Sequence, residues 1–450
     1  MIESVLFKGV QLLKGQDIVT GDVWIEAGKI KAVQPQLSAS AEQVIHEPNL
    51  LLMPGVIDAH VHFRDPGHAH KETLYSGSRA AASGGVTTFF DMPNTNPATT
   101  TLAAMAQKKQ VAAETSLVNY NFFIGATPHN LDDLCQVENV AGIKIYVGSS
   151  TGDLLVDGHE ALSQIFASAN KLIAVHSEDE ATIRANQQQY QGSENVSDHN
   201  RVRSPEAAIL CTQRLCELAL AHQQRLHICH LTTQEEAEYL TQNWAQFQSV
   251  ISTEVTPQHL HFVAPDLYEK WGTFGQINPP IRDQRHQDAL WQALLSGVIG
   301  MIATDHAPHQ VSEKALPYGQ APSGMPGVEW VLPVMLEYMN QGRMSLAQVS
   351  HWLSAGPAQT FGILNKGHIK PGYDADLVLV DLSANREVTR EQCVSKCGWS
   401  PYEGLRLRGW PVATMVNGQV VYREGDFFED IKGKEVQLSP QQMRNQVHSN

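Results

Sequence analysis

The segment Val56 to Glu72 reads VIDAHVHFRDPGHAHKE, and its apolar run closes on His60-Val61-His62. In an extended strand residues i and i+2 face the same side, so His60 and His62 project together with Asp58 behind them. That geometry offers two imidazole nitrogens to one metal ion. Two surface histidines could share this spacing, so the pair gains meaning only if ligands recur elsewhere. They do recur. Apolar runs close on His176 in KLIAVHS, on His230 in RLHICHL, and on Asp305 followed by His306 after VIGMIAT. Each alone reads as a hydrogen-bonded core or rim residue. Together they make a nitrogen and oxygen donor set that suits zinc and that would be costly to bury uncompensated. Lys144 closes a further run, GIKIYVGSS. An ammonium beside metal cations is disfavoured. The lysine therefore either snorkels out of the strand end or is converted by CO₂ to a carbamate able to bridge two metals.

These residues need a scaffold that gathers strand ends. Eight short apolar runs recur, at 55–63, 85–92, 120–126, 141–148, 171–177, 225–231, 249–255 and 298–304. Between them lie segments such as PEAAILCTQRLCELALAHQ and RHQDALWQALLSG, whose apolar residues fall at helical spacing. This alternation predicts an α/β fold, a (β/α)₈ barrel over 54–364, whose chemistry sits at the C-terminal strand ends. The two ends of the chain read as short strands with glycine turns, and Asn417-Gly418 is a hairpin signal. Neither end alone can bury a core. A small β-sandwich built from 1–53 and 365–430 is expected, followed by a C-terminal extension at 431–450. The stretch QVSEKALPYGQAPSGMPGVE, 310–329, follows the eighth run and reads either as a lid or as an ordinary long loop.

The formal charge of −15 argues against a non-specific nucleic-acid binder. No apolar run approaches the ~20 residues that span a bilayer, and the N-terminus lacks a signal-peptide pattern, so no membrane partner and a cytoplasmic location are expected. The six cysteines include no C-x-x-C pair and read as reduced thiols.

In combination, HVHFRDPG, GGVTTFFDMPNTNP, GIKIYVGSSTG, VHSED, HICHLTT, EVTPQHL, INPPIR and ATDHAPH resemble the amidohydrolase superfamily and, within it, the dihydroorotase family of cyclic amidohydrolases. The resemblance covers nearly the whole chain. It implies two zinc ions held by His60, His62, His176, His230 and Asp305 and bridged by carboxylated Lys144, with Asp305 also carrying the proton during catalysis. The carboxylated-lysine members are the ones it resembles; simpler bacterial types lack that lysine. The implied reaction is the reversible cyclisation of N-carbamoyl-L-aspartate to L-dihydroorotate in pyrimidine biosynthesis. Dihydroorotate differs from dihydrouracil by a ring carboxylate, which calls for charge-assisted donors at one end of the pocket. Arg64 directly follows the His-x-His strand and suits that role. The resemblance adds Asn94 and His309 as carboxylate contacts, Asn278 as a ring contact, and the backbone at Ser323 and Gly324. Two alternatives stand beside it: a hydantoinase-like or allantoinase-like enzyme, and a non-catalytic dihydroorotase-like subunit, which would lack several of the ligand histidines retained here. A homodimer or higher homo-oligomer is expected.

Overall fold

The structure, a computed structural model, describes residues 2–148 and 154–439. The N-terminal residues form β1 (Ser4–Lys14), β2 (Asp17–Glu26), β3 (Lys29–Gln34), β4 (Gln43–Ile45) and β5 (Leu51–Pro54). Eight strands follow: β6 (Val56–Val61), β7 (Val86–Asp91), β8 (Asn119–Gly125), β9 (Gly142–Tyr146), β10 (Ile173–His176), β11 (Leu226–Ile228), β12 (Ile251–Val255) and β13 (Met301–Ile302). The chain then returns through β14 (Leu377–Glu387), β15 (Arg406–Val416), β16 (Gln419–Arg423) and β17 (Asp426–Phe427).

Strands β6 to β13 pair in sequence order as one parallel sheet. A bridge between Val61 and His306, with the His62 amide donating to the His306 carbonyl at 2.8 Å, brings its two edges together. The expected α/β barrel is thus present. Its strands are buried on both faces, which explains why they read as apolar runs without alternation. The helices between them carry ordinary start signals. Ser204 caps Pro205–His222 with proline in the first turn, and Thr233 with Glu236 closes a capping box on Gln234–Phe247. The barrel floor is filled by Ile57, Ala59, Phe90, Phe123, Ala174 and Met301, with Phe361 inserted among them.

The terminal strands make one nine-stranded sheet, in the order β17-β16-β15-β14-β5-β1-β2-β3 with β4 beside β1. The expected sandwich therefore takes the form of a single sheet. Residues of β1 and β2 such as Phe7, Val23 and Ile25 share a core with Leu377, Leu379 and Met415 of β14 and β15. Asn417 and Gly418 form the turn between β15 and β16, both at positive φ, as a tight hairpin requires. Residues 431–439 run beneath the barrel: Glu435 bridges to Tyr120, and Asn121 donates to the Val436 carbonyl at 3.2 Å. The remainder of the expected C-terminal extension, 440–450, lies outside the described residues.

Candidate active site

His60 and His62 enter the barrel mouth from the end of β6. Pairing with β7 carries one extra residue between Asp58 and Val61 relative to Phe89 and Asp91, a bulge that re-aims the strand end. Asp58 accepts from the Thr304 amide at 3.0 Å and its hydroxyl at 2.6 Å, fastening β6 to the β13 end. His230 and Asp305 lie just beyond their strands, both at positive φ, as does Arg64. Three non-glycine residues in this sparsely populated region within one site mark stored backbone strain of the kind that positions reacting groups.

The structure brings the expected ligands together. His60 and His62 direct Nε2 at the same Asp305 oxygen, at 3.3 and 2.9 Å. His176 Nδ1 and His230 Nε2 stand 3.1 Å apart. Donor atoms of His60, His230 and Asp305 fall within 4.8 Å of one another. The opposite ring nitrogens are already engaged. His60 Nδ1 donates to Glu254 at 2.5 Å, His62 Nδ1 to the Asn94 side-chain oxygen at 2.6 Å, and His176 Nε2 to Glu178 at 2.7 Å. Such bonds fix each tautomer so that the inward nitrogen keeps its lone pair, an arrangement suited to ligating histidines. Burial opposes charge on His60, yet Asp305 and Glu254 push its pKa up to about 10, so the space between these carboxylates favours a cation. For Asp305, burial works against ionisation, but His60 and His62 outweigh it and hold the carboxyl well below the usual range. The donor set fits a metal centre.

Lys144 does not snorkel outward. It is fully buried, lines the cavity, and its Nζ donates to Cys229 Sγ at 3.0 Å. His306, by contrast, faces away from the cavity, packing edge-on against Phe63 with Nδ1 accepting from the Gly327 amide at 3.0 Å.

The cavity above these residues has a volume of about 340 Å³, and Arg64, Asn94, Asn278, His309, Ser323 and Gly324 all line it. Arg64 donates to the Pro308 carbonyl at 3.2 Å and sets Nη2 3.1 Å from His309 Nε2. His309 meets Lys71 through Nδ1 at 3.0 Å and the Ser323 carbonyl through Nε2 at 3.0 Å. Burial, then Arg64, Lys71 and Lys314, depress its pKa strongly, so the imidazole stays neutral. Asn94 turns its side-chain oxygen to His62, and Asn278 accepts from His199 at 2.8 Å. Gly324 has φ +139, and a Cβ there would sit 2.6 Å from the Ala307 carbonyl, so only glycine fits this wall.

Two carboxylates that hold these histidines were not singled out from sequence. Glu254, at the end of β12, accepts from His60, from His227 at 3.0 Å and from the His230 amide at 3.3 Å. Glu178 pairs with Arg203 and His176. The segment between β14 and β15 was also unforeseen at the site. It rises from the terminal sheet to the barrel mouth, where Trp399 Nε1 donates to the His309 carbonyl at 2.9 Å.

A family model for the amidohydrolase family matches residues 51–421. The chain belongs to the amidohydrolase family. Within that family it is 37% identical to a dihydroorotase of Halobacterium salinarum, over 92% of this chain and 96% of the relative. It is 35% identical to a dihydroorotase of Methanosarcina acetivorans, over 93% and 91%. Among solved structures, this amidohydrolase is similar to the L-hydantoinase (dihydropyrimidinase) of Arthrobacter aurescens, with a TM-score of 0.92, 29% identity, and coverage of 97% of this chain and all of that one.

Proposed function

We propose that this amidohydrolase is a zinc-dependent dihydroorotase, interconverting dihydroorotate and carbamoyl aspartate. The observation that carries the substrate is the cationic corner of the cavity. Arg64 Nη2 and Lys71 Nζ, both donors, face the two nitrogens of one neutral imidazole, and the Ser323 carbonyl also lies against Nε2. A neutral His309 has a single acceptor nitrogen. With Lys71 on Nδ1 and the Nε2 proton directed to Ser323, Arg64 Nη2 is left facing a donor, and a substrate carboxylate would supply the acceptor. A neutral hydantoin or dihydrouracil ring brings no anion to this corner. The names of the similar dihydroorotases support the same reading.

His60, His62, His176, His230 and Asp305, together with Lys144 as its carbamate, would hold the metal. Forming that carbamate joins the amine nitrogen to CO₂ and releases one proton. Bound there, zinc would supply Lewis acidity toward the ring carbonyl and acidify a water molecule. Asp305, held as the anion, takes a proton from the attacking water as the C–O bond forms, and delivers it to the ring nitrogen as the C–N bond breaks. Reversal closes carbamoyl aspartate. Arg64 and His309 orient the ring by its carboxylate, with the Ser323–Gly324 backbone packed against His309 and Asn278 also lining the cavity.

Replacing Arg64 with Met tests the substrate. Removing the charged donor should cost roughly 2–5 kcal/mol, lowering kcat/KM for dihydroorotate at least about 30-fold. Hydrolysis of dihydrouracil should be nearly unchanged. An equal loss on both substrates would assign Arg64 to support of the His309 loop and withdraw the carboxylate reading.

A further inference from the structure

The 310–325 stretch reaches the cavity wall at Pro322–Met325, and Lys314 is its peg. This lysine is fully buried, and its Nζ donates to the Gln276 carbonyl at 3.0 Å and the Pro322 carbonyl at 2.9 Å. Its own carbonyl accepts from the Thr273 hydroxyl at 2.6 Å. Around it, the Gly324 amide donates to the Gln276 carbonyl at 2.9 Å, and Gln276 Nε2 donates to Ser323 Oγ at 2.9 Å. One side chain thus joins the two stretches carrying the cavity residues Ile277 and Asn278 and Pro322 to Gly324.

Two neutral carbonyls would satisfy a neutral donor as well as an ammonium. Among the described residues no carboxylate forms an ion pair with Lys314, whereas Lys71 nearby has Glu313 at 3.1 Å. Burial, aided by Arg64, pulls its pKa down to about 7, and no acidic neighbour raises it. A buried ammonium without a counter-ion is costly. It stands behind Arg64 and His309, close enough to feel the Arg64 charge and to help depress the His309 pKa.

We infer that Lys314 is a specificity-determining positioning residue for anionic substrates, its counter-charge being the substrate carboxylate held at Arg64 and His309. The inference deepens the dihydroorotase reading and rests on it. Lys314 touches no reacting atom. It holds the Ser323–Gly324 wall against Gln276, and a carboxylate bound in front of it draws a second positive charge onto this buried amine behind Arg64, so that a carboxylated ring is favoured over the same ring without a carboxylate.

The test compares the unsubstituted metal-loaded enzyme with Lys314→Gln, which keeps an amide donor for the carbonyls but no charge, and Lys314→Met, which keeps neither. Calorimetric binding of orotate, a planar anion, and of uracil, its neutral counterpart, is measured alongside steady-state kinetics. In both variants the ratio of orotate to uracil affinity should fall about tenfold or more. The KM for dihydroorotate should rise by a similar factor, with kcat held within about threefold. Parallel weakening of orotate and uracil, or no change in either, would overturn the inference and leave Lys314 a structural staple. Should the variants not fold, hydrogen exchange on the unsubstituted enzyme decides. Orotate should slow exchange across 272–278 and 310–325 together, and uracil should not; equal protection by both would overturn it. If the unsubstituted enzyme neither binds orotate nor turns over dihydroorotate, the substrate reading itself fails, an outcome distinct from normal orotate binding that survives Lys314→Met.

Discussion

Replacing Glu254 with Gln perturbs the ligand cage without removing any ligand. The carboxylate is buried, and although burial opposes its charge, His60 and His227 hold its pKa far below the usual range. It accepts three donors: His60 Nδ1 at 2.5 Å, His227 Nε2 at 3.0 Å and the His230 amide at 3.3 Å. Glutamine keeps the shape but turns one acceptor oxygen into an NH₂ donor. Aimed at His60, that NH₂ favours the tautomer with its proton on Nε2, the nitrogen that must face the metal. Aimed at His227, it switches that ring to the tautomer with its proton on Nδ1, toward Ser252 Oγ, and leaves His60 Nδ1 a neutral amide oxygen, a weaker acceptor than the carboxylate. Either way the orientation of His60 is weakened. Loss of such an outer partner typically costs about 10- to 100-fold in metal affinity, or about 1.4–2.8 kcal/mol. The assay is titration with a competing chelator, with metal content read by atomic spectroscopy and kcat/KM measured on the same samples. The Glu254→Gln protein should fold and yet release metal at lower chelator concentration. Unchanged metal affinity and unchanged kcat/KM would refute the role given to Glu254 and the inward Nε2 of His60.

Asp305→Asn retains an oxygen toward His60 and His62 but cannot carry a proton, so kcat should fall about 10²- to 10⁴-fold with metal content largely kept, as checked by single-turnover kinetics beside metal analysis. Glu329 gives a pH signature for the segment that reaches the mouth. Burial pushes its pKa up to about 8 even though it accepts the Val394 and Ser395 amides at 2.8 and 2.7 Å. An acid with a raised folded-state pKa binds its proton more tightly when folded, so the protein should lose up to about 1.4 kcal/mol of stability per pH unit between the unfolded pKa and about 8. In Glu329→Gln that part of the slope should vanish, as read from denaturation midpoints at pH 6 and pH 8.

The gathering of His60, His62, His176, His230 and Asp305 was legible because they sit at strand ends and because His-x-His matches the two-residue period of a strand. Glu178 and Glu254 escaped notice because a single carboxylate in VHSED or EVTPQHL has no distinctive spacing. The available signal was positional. Glu178 lies two residues beyond His176, and Glu254 closes the one late strand run that lacked a histidine. His306 shows the converse, since adjacency to Asp305 turns it to the other side, against Phe63. The eighth strand shrank from the expected 298–304 to Met301–Ile302, because Thr304 and Asp305 turn out of the sheet to serve Asp58 and the two histidines. The approach of Trp399 to His309 joins residues 90 positions apart, a contact that local periodicity does not carry.

The central claim is tested most directly by incubating the purified protein, with its zinc content measured, with dihydroorotate, hydantoin, dihydrouracil and allantoin in parallel. Dihydroorotate should be hydrolysed with the highest kcat/KM, carbamoyl aspartate should be cyclised by the same sample, and removal of the metal should abolish both. Preferred turnover of hydantoin or dihydrouracil, or dihydroorotate turnover that persists without metal, would contradict it.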